Sequence, residues 1–162
     1  MTTKTQGETQ STTHRLIQGN TRSLSFIPDE SVHLVVTSPP YWSLKRYNEN
    51  PAQLGHIADY EHFLSELTKV WKEVFRVLVP GGRLVCVVGD VCLSRREHGR
   101  HLVMPLHADI TVICRRIGFD NLNPIIWPIP ADVRNVATDN IFCRVTLYPD
   151  RVATAARRAT SL

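Results

Sequence analysis

With 162 residues, 43% of them apolar, and a formal charge of +4, the chain has material for one globular domain and one core, not for two. No apolar run reaches membrane-spanning length and Met1 to Thr13 has no apolar secretory core, so a soluble, cytoplasmic protein is expected. Cys86, Cys92, Cys114 and Cys143 show no Cys-x-x-Cys spacing and two lie inside apolar segments, which predicts buried reduced thiols and no metal site.

In chain order, residues 1–13 read as a disordered Thr/Gln-rich leader. Arg15 to Asn20 reads as a short strand ending in a turn, followed by a turn or loop across Ser23 to Pro28. Val32 to Thr37 is a buried strand, and Lys45 to Ile57, with its Asn, Pro and Gly, is a loop long enough to move. Asp59 is placed to cap a helix whose apolar residues Tyr60, Phe63, Leu64, Leu67, Trp71, Val74, Phe75 and Leu78 recur at three and four. Its aromatic stripe is core. Pro80-Gly81-Gly82 reads as the turn that ends this helix and leads into a strand over Arg83 to Gly89. A double glycine after a helix and before a strand has the wrong order for a phosphate loop.

A second helix follows, with Pro105 at its start, Leu106, Ile110, Ile113 and Ile117 on one face and Gly118 as its stop. Phe119 to Trp127 is a further strand, interrupted by Pro124. Strand, helix, strand, helix, strand at these lengths means parallel crossover units and a Rossmann-like α/β sheet flanked by helices. The domain is expected over 14–128, with 129–162 irregular or frayed.

The most informative run is Thr37-Ser38-Pro39-Pro40-Tyr41-Trp42, directly after the apolar strand. Two prolines remove two backbone donors and fix φ, so the chain must leave the sheet in one rigid turn whose carbonyls stay open. Such a turn suits a flat, amino-bearing ring: Tyr41 can stack on it while Ser38 Oγ and the carbonyls of Ser38 or Pro39 accept from its amine. Trp42 is either a second wall or packing beneath the turn. Lys45 and Arg46, and the cluster Arg95, Arg96, His98, Arg100 and His101, follow strand ends; loops at the carboxyl ends of strands gather on one rim.

Val35-Val36-Thr37-Ser38-Pro39-Pro40-Tyr41-Trp42, the following amphipathic helix and Arg76-Val77-Leu78-Val79-Pro80-Gly81-Gly82-Arg83-Leu84 resemble the DNA amino-methyltransferases, and within them the permuted group whose catalytic half precedes the cofactor half. The resemblance covers about His14 to Trp127. It implies a partial Rossmann-like S-adenosylmethionine-dependent methyltransferase fold, with a mainly parallel sheet. It also implies transfer of a methyl group to an exocyclic amine of a flipped base in double-stranded DNA, by Ser38, Pro39, Pro40 and Tyr41. Serine at the head of the motif leans toward N4 of cytosine over N6 of adenine. Asn20, Thr37 and Ser38 are then the candidate cofactor contacts, and Lys45, Arg46, Arg95, Arg96 and Arg100 the candidate DNA contacts.

Two departures shape the expectation. The family's Gly-Asp is Gly19-Asn20 here, and no Phe-x-Gly-x-Gly-Thr-like cofactor loop is present. A DNA-recognition segment is absent or confined to Ile129 to Asp150. The chain therefore reads as the front portion of a methyltransferase, with weak S-adenosylmethionine binding on its own, an open sheet edge, and a complementing polypeptide or a restriction endonuclease as possible partners. A DNA-binding remnant without catalysis, and a methyltransferase acting on RNA or a protein amide, are the competing readings.

Overall fold

The computed structural model describes residues 11–44, 52–127 and 142–149. Strands β1 (Val32–Thr37) and β2 (Leu78–Gly89) are parallel, in the register Val35↔Leu84, Val36↔Val85 and Thr37↔Cys86. Three more strands complete the main sheet: β5 (Phe119–Asn121), β6 (Ile125–Trp127) and β7 (Phe142–Pro149), the last running antiparallel to β2, β5 and β6. The order across the sheet is β1-β2-β7-β5, with β6 also pairing β7. Among the described residues, four of the five strands of this sheet therefore share one sense, as in a Rossmann-like sheet, and β7 opposes them.

Helix α1 (Tyr60–Val77) forms where the periodicity places it, and Asp59 caps it, its Oδ1 accepting from the His62 amide at 2.7 Å. Helix α3 (Leu106–Ile117) follows Pro105 and stops at Gly118. Both helices cover the same face of the sheet. Leu84, Cys86 and Val88 of β2 are buried with Phe63, Leu67, Trp71, Leu106, Ile110 and Cys114, and Phe75 meets Phe119 edge-on at 5.0 Å between ring centres. The other face is less covered: Leu34 and Val36 of β1 are 56% and 64% exposed, and Val85 and Val87 of β2 half-buried. Burial pushes the Cys114 thiol well above the usual range, as befits an inert core cysteine.

Four expectations are corrected. Strand β1 forms as expected but is half-buried or exposed along its whole length, not buried. Arg15 to Asn20 forms no strand, since no described strand pairs with it, and Leu16 is fully exposed. Helix α1 ends at Val77, and Pro80-Gly81-Gly82 lies inside β2 as an irregularity, not at a helix-ending turn. Gly81 takes φ +76, while a Cβ on Gly82 would lie 3.0 Å from the Val79 carbonyl oxygen and 3.2 Å from that of His33. The stretch 129–162 is not irregular throughout, because β7 sits inside it between β2 and β5. The chain beyond β2, for which the sequence offered no element, forms a separate hairpin: β3 (Val91–Leu93) and β4 (Leu102–Met104), joined through one helical turn, α2 (Arg95–His98). The leader and most of the C-terminal stretch lie outside the described residues.

Candidate active site

Beyond Thr37 the chain leaves the carboxyl end of β1 in the Ser38–Tyr41 turn. Ser38 is exposed, Pro39 buried, and Pro40 and Tyr41 half-buried; Ser38 Oγ lies 3.3 Å from the Tyr41 hydroxyl. The turn thus has one anchored proline and an accessible oxygen-bearing edge. Trp42 comes next with a left-handed backbone, φ 45, which is rare for a bulky residue and is held by its surroundings. Its indole N–H donates to the Ile57 carbonyl at 2.9 Å, and its ring meets Tyr60 at 5.1 Å, nearly perpendicular. Trp42 is buried, so it packs beneath the turn; the reading of Trp42 as a pocket wall is corrected.

Tyr60 is in turn fixed by Asp109 of α3, whose Oδ2 accepts from the phenol at 2.7 Å. Burial first, then this hydrogen bond and the negative charges of Asp109, Asp90 and Glu61, push the Tyr60 phenol far above its ordinary range. Asp90, which follows β2, binds the first turn of α3: its Oδ1 is 2.6 Å from His107 Nδ1 and 3.4 Å from the His107 amide. Sequence reasoning missed Asp90, His107 and Asp109. The available signal was a carboxylate at a strand's carboxyl end, a position where α/β sheets place their sites.

A cleft of about 630 Å³ opens beside the turn, lined in part by Gly19, Asn20, Ser38, Pro40, Gln53 and Gly55. Asn20 and Ser38 both line this cleft, whereas Thr37 and Tyr41 are not among its lining residues. Arg22 joins the walls: its Nε pairs with Glu66 of α1 at 2.8 Å and its guanidinium donates to the Ala52 carbonyl at 3.2 Å. The Lys69 ammonium first, with Arg22 and His62 adding charge, holds the Glu66 carboxyl below its usual range. Asn20 Oδ1 accepts from the Arg22 amide at 3.0 Å, fixing the turn that presents it. Arg22, Gln53 and Gly55 gave no motif, because only long-range packing assembles them. Arg95, Arg96 and Arg100 are exposed on the β3–β4 hairpin; Lys45 and Arg46 lie outside the described residues.

A mainly parallel sheet of this order, helix-covered and with a cleft beside the carboxyl end of β1, is the Rossmann-like fold of S-adenosylmethionine-dependent methyltransferases. Among solved structures, the PvuII cytosine-N4-specific DNA methyltransferase shares the fold at 17% identity, with a TM-score of 0.56 over 80% of this chain and 47% of that one. The chain belongs to the DNA methylase family of N6/N4 methyltransferases, which matches residues 32–145. It is 33% identical over 159 residues to the type II methyltransferase M.MjaI of Methanocaldococcus jannaschii, covering 85% of this chain and 52% of that protein. A candidate DNA modification methylase of Thermus thermophilus, solved with S-adenosyl-L-methionine, is 55% identical at a TM-score of 0.67, over 85% of this chain and 54% of that one. The chain thus spans about half the length of these relatives.

Proposed function

We propose that the chain carries the target-amine side of an S-adenosylmethionine-dependent DNA methyltransferase of the permuted group, acting on an exocyclic amine of a base in double-stranded DNA, with N4 of cytosine favoured by Ser38. The observation that carries this reading is the exposed Ser38 edge of a proline-stiffened turn, set on a cleft at the sheet rim and anchored from below by Trp42. The cleft has a size suited to a small-molecule cofactor, and Asn20, Gln53 and Ser38 supply amide and hydroxyl groups toward it. Asn20 and Ser38, with Thr37 next to them, are the residues assigned to hold S-adenosylmethionine, whose sulfonium methyl is the group to be transferred.

The chain's own part is to prepare the amine. An aromatic amine is a poor nucleophile because its lone pair is delocalised into the ring. Ser38 Oγ and the carbonyls of Ser38 and Pro39, accepting from its N–H bonds, favour a tetrahedral nitrogen whose lone pair is available. Pro39 and Pro40 keep those acceptors fixed, and Tyr41 offers the face on which the base stacks. Arg95, Arg96 and Arg100, with Lys45 and Arg46, are assigned to the DNA backbone.

The test is transfer of radiolabelled methyl groups to DNA, RNA and protein, run with the chain alone and with the remaining half of the Thermus relative supplied in trans. DNA is expected to be the acceptor. Tyr41→Ala should weaken base stacking by about 1–3 kcal/mol and Ser38→Ala should lower the rate of the chemical step. Label entering RNA or protein in preference to DNA, or Tyr41→Ala leaving turnover unchanged, would overturn the reading.

A further inference from the structure

We propose that the β3–β4 hairpin is a clamp for the phosphate backbone of duplex DNA, latched at its root by the Asp90–His107 pair. This rests on the reading above that the chain acts on DNA. The hairpin stands apart from the main sheet, with the register Val91↔Met104, Cys92↔Val103 and Leu93↔Leu102. Its tip, Ser94 to His101, reverses through α2 and Gly99 at φ +73, and presents Arg95, Arg96, His98, Arg100 and His101 to solvent.

Three arginines within six positions share this tip with one acidic residue, Glu97. Arg22 and Arg76 in the body of the protein are committed to Glu66, Glu73 and Asp29. Among the described residues no ion pair engages Arg95, Arg96 or Arg100. The hairpin strands pack on the core through Val91, Leu93, Leu102 and Met104. The exposed tip they carry, with guanidinium groups that no ion pair engages among the described residues, has the chemistry of backbone contacts, which hold register on a duplex without reading sequence.

The root shows how such a grip would be aimed. Asp90 is one residue before β3 and His107 three residues after β4, so their contact at 2.6 Å closes the hairpin at its root, beyond the Val91↔Met104 rung. A carboxylate can only accept, so the imidazole Nδ1 carries the proton between them. The same turn of α3 holds Asp109, which binds Tyr60, which packs on Trp42 under the Ser38–Tyr41 turn. One helical turn therefore ties the hairpin root to the support of the amine-binding turn. Asp90 and His107 are positioning residues here, and the backbone grip sets where the duplex lies relative to Ser38.

The experiment is anisotropy of a labelled duplex with the full 162-residue chain across a NaCl series, each variant first checked for native circular dichroism. The slope of log K against log salt should shrink by about 0.9 for each arginine removed in Arg95→Ala/Arg96→Ala/Arg100→Ala, equally on unrelated duplexes. The Gln triple variant repeats this if the Ala triple misfolds. Arg115→Ala/Arg116→Ala, which removes two charges from the exposed end of α3, should leave the slope within about half a unit of the parent, against a shrinkage of about 1.8 if those charges gripped DNA. Asp90→Ala separates the latch from simple charge: removing an acid would raise DNA affinity by electrostatics, whereas a lost latch lowers it several-fold and speeds amide exchange in β3 and β4. An unchanged slope in the hairpin triple variant, with DNA still bound, overturns the clamp alone, and raised affinity in Asp90→Ala overturns the latch. A folded parent chain that binds no duplex overturns both the clamp and the DNA reading beneath it.

Discussion

Trp42, in a left-handed backbone, makes two contacts that hold it, its indole N–H on the Ile57 carbonyl and its ring in a T-shaped contact with Tyr60, and Tyr60 is itself held by Asp109. Strain of this kind costs on the order of 1–3 kcal/mol and survives only where neighbours over-determine it. Tyr60→Phe keeps the ring but loses the hydrogen bond, and should cost about 0.5–1.5 kcal/mol in urea melts near neutral pH. The phenol also has a pH signature. Its folded-state pKa is raised, so its contribution is fully present below the unfolded value of about 10 and is lost as pH rises above it. The parent should therefore weaken above about pH 10, and Tyr60→Phe should flatten that alkaline limb. An identical limb in both proteins would remove Tyr60 from this role. At this scale the sequence was partly legible: the contiguous Ser38–Tyr41 turn announces itself, whereas Tyr60 looked like one more apolar member of a stripe, since a partner on α3 has no trace in local spacing.

Among the elements, α1 shows what periodicity and capping can decide without help. Its apolar spacing, Asp59 and the burial of Phe63, Leu67, Trp71 and Val74 agree at every level. Asp59→Ala removes the acceptor of the His62 amide and should cost about 1 kcal/mol by thermal or urea unfolding, with helical circular dichroism retained before the transition. No loss of stability would mean that the cap is idle. Strand β7 shows the converse. Cys143, Val145 and Leu147 alternate with Arg144 and Thr146, a usable strand pattern, yet the partners of this segment are Leu84 to Gly89, Phe119 to Asn121 and Ile125 to Trp127, all distant in the chain. Arg15 to Asn20 had apolar residues too and no described partner strand, so strand-like composition alone did not make a strand. Pro80-Gly81-Gly82 was read as punctuation because turns use the same residues that bulges use.

At the level of the whole molecule, a carboxylate comb on α1 binds the segment leading into β1 and thereby the cleft wall. Glu66 pairs with Arg22. Glu73 Oε2 accepts from the Leu24 amide at 2.8 Å, and Arg76 reaches the carbonyls of Leu24 and Ile27 at 2.9 and 3.1 Å. The Arg76 guanidinium, together with the Leu24 amide, holds the Glu73 carboxyl below its usual range, as Lys69 does for Glu66. Depressed carboxyl pKa values mean stability that is present above the unfolded value of about 4.3 and lost as pH falls through the lower folded values. Acid weakening should begin near about pH 4 and be shallower in Glu73→Gln, which keeps the acceptor for Leu24 and loses the charge. Equal acid slopes would show that the comb does not titrate with folding. This clamp explains why the cleft was only half legible: Asn20 and Ser38 could be paired from their motifs, but Arg22, Gln53 and Gly55 reach the cleft through α1, and that route exists only once the helix has docked.

The placement of β7 has a consequence for biosynthesis. The strand that fills the middle of the sheet, between β2 and β5, is made after both of them, so a nascent chain emerging from the ribosome holds two unpaired inner edges until residues 142–149 arrive. The helical layer of α1 and α3 can assemble earlier, from contacts close in sequence, while the sheet closes late and all at once.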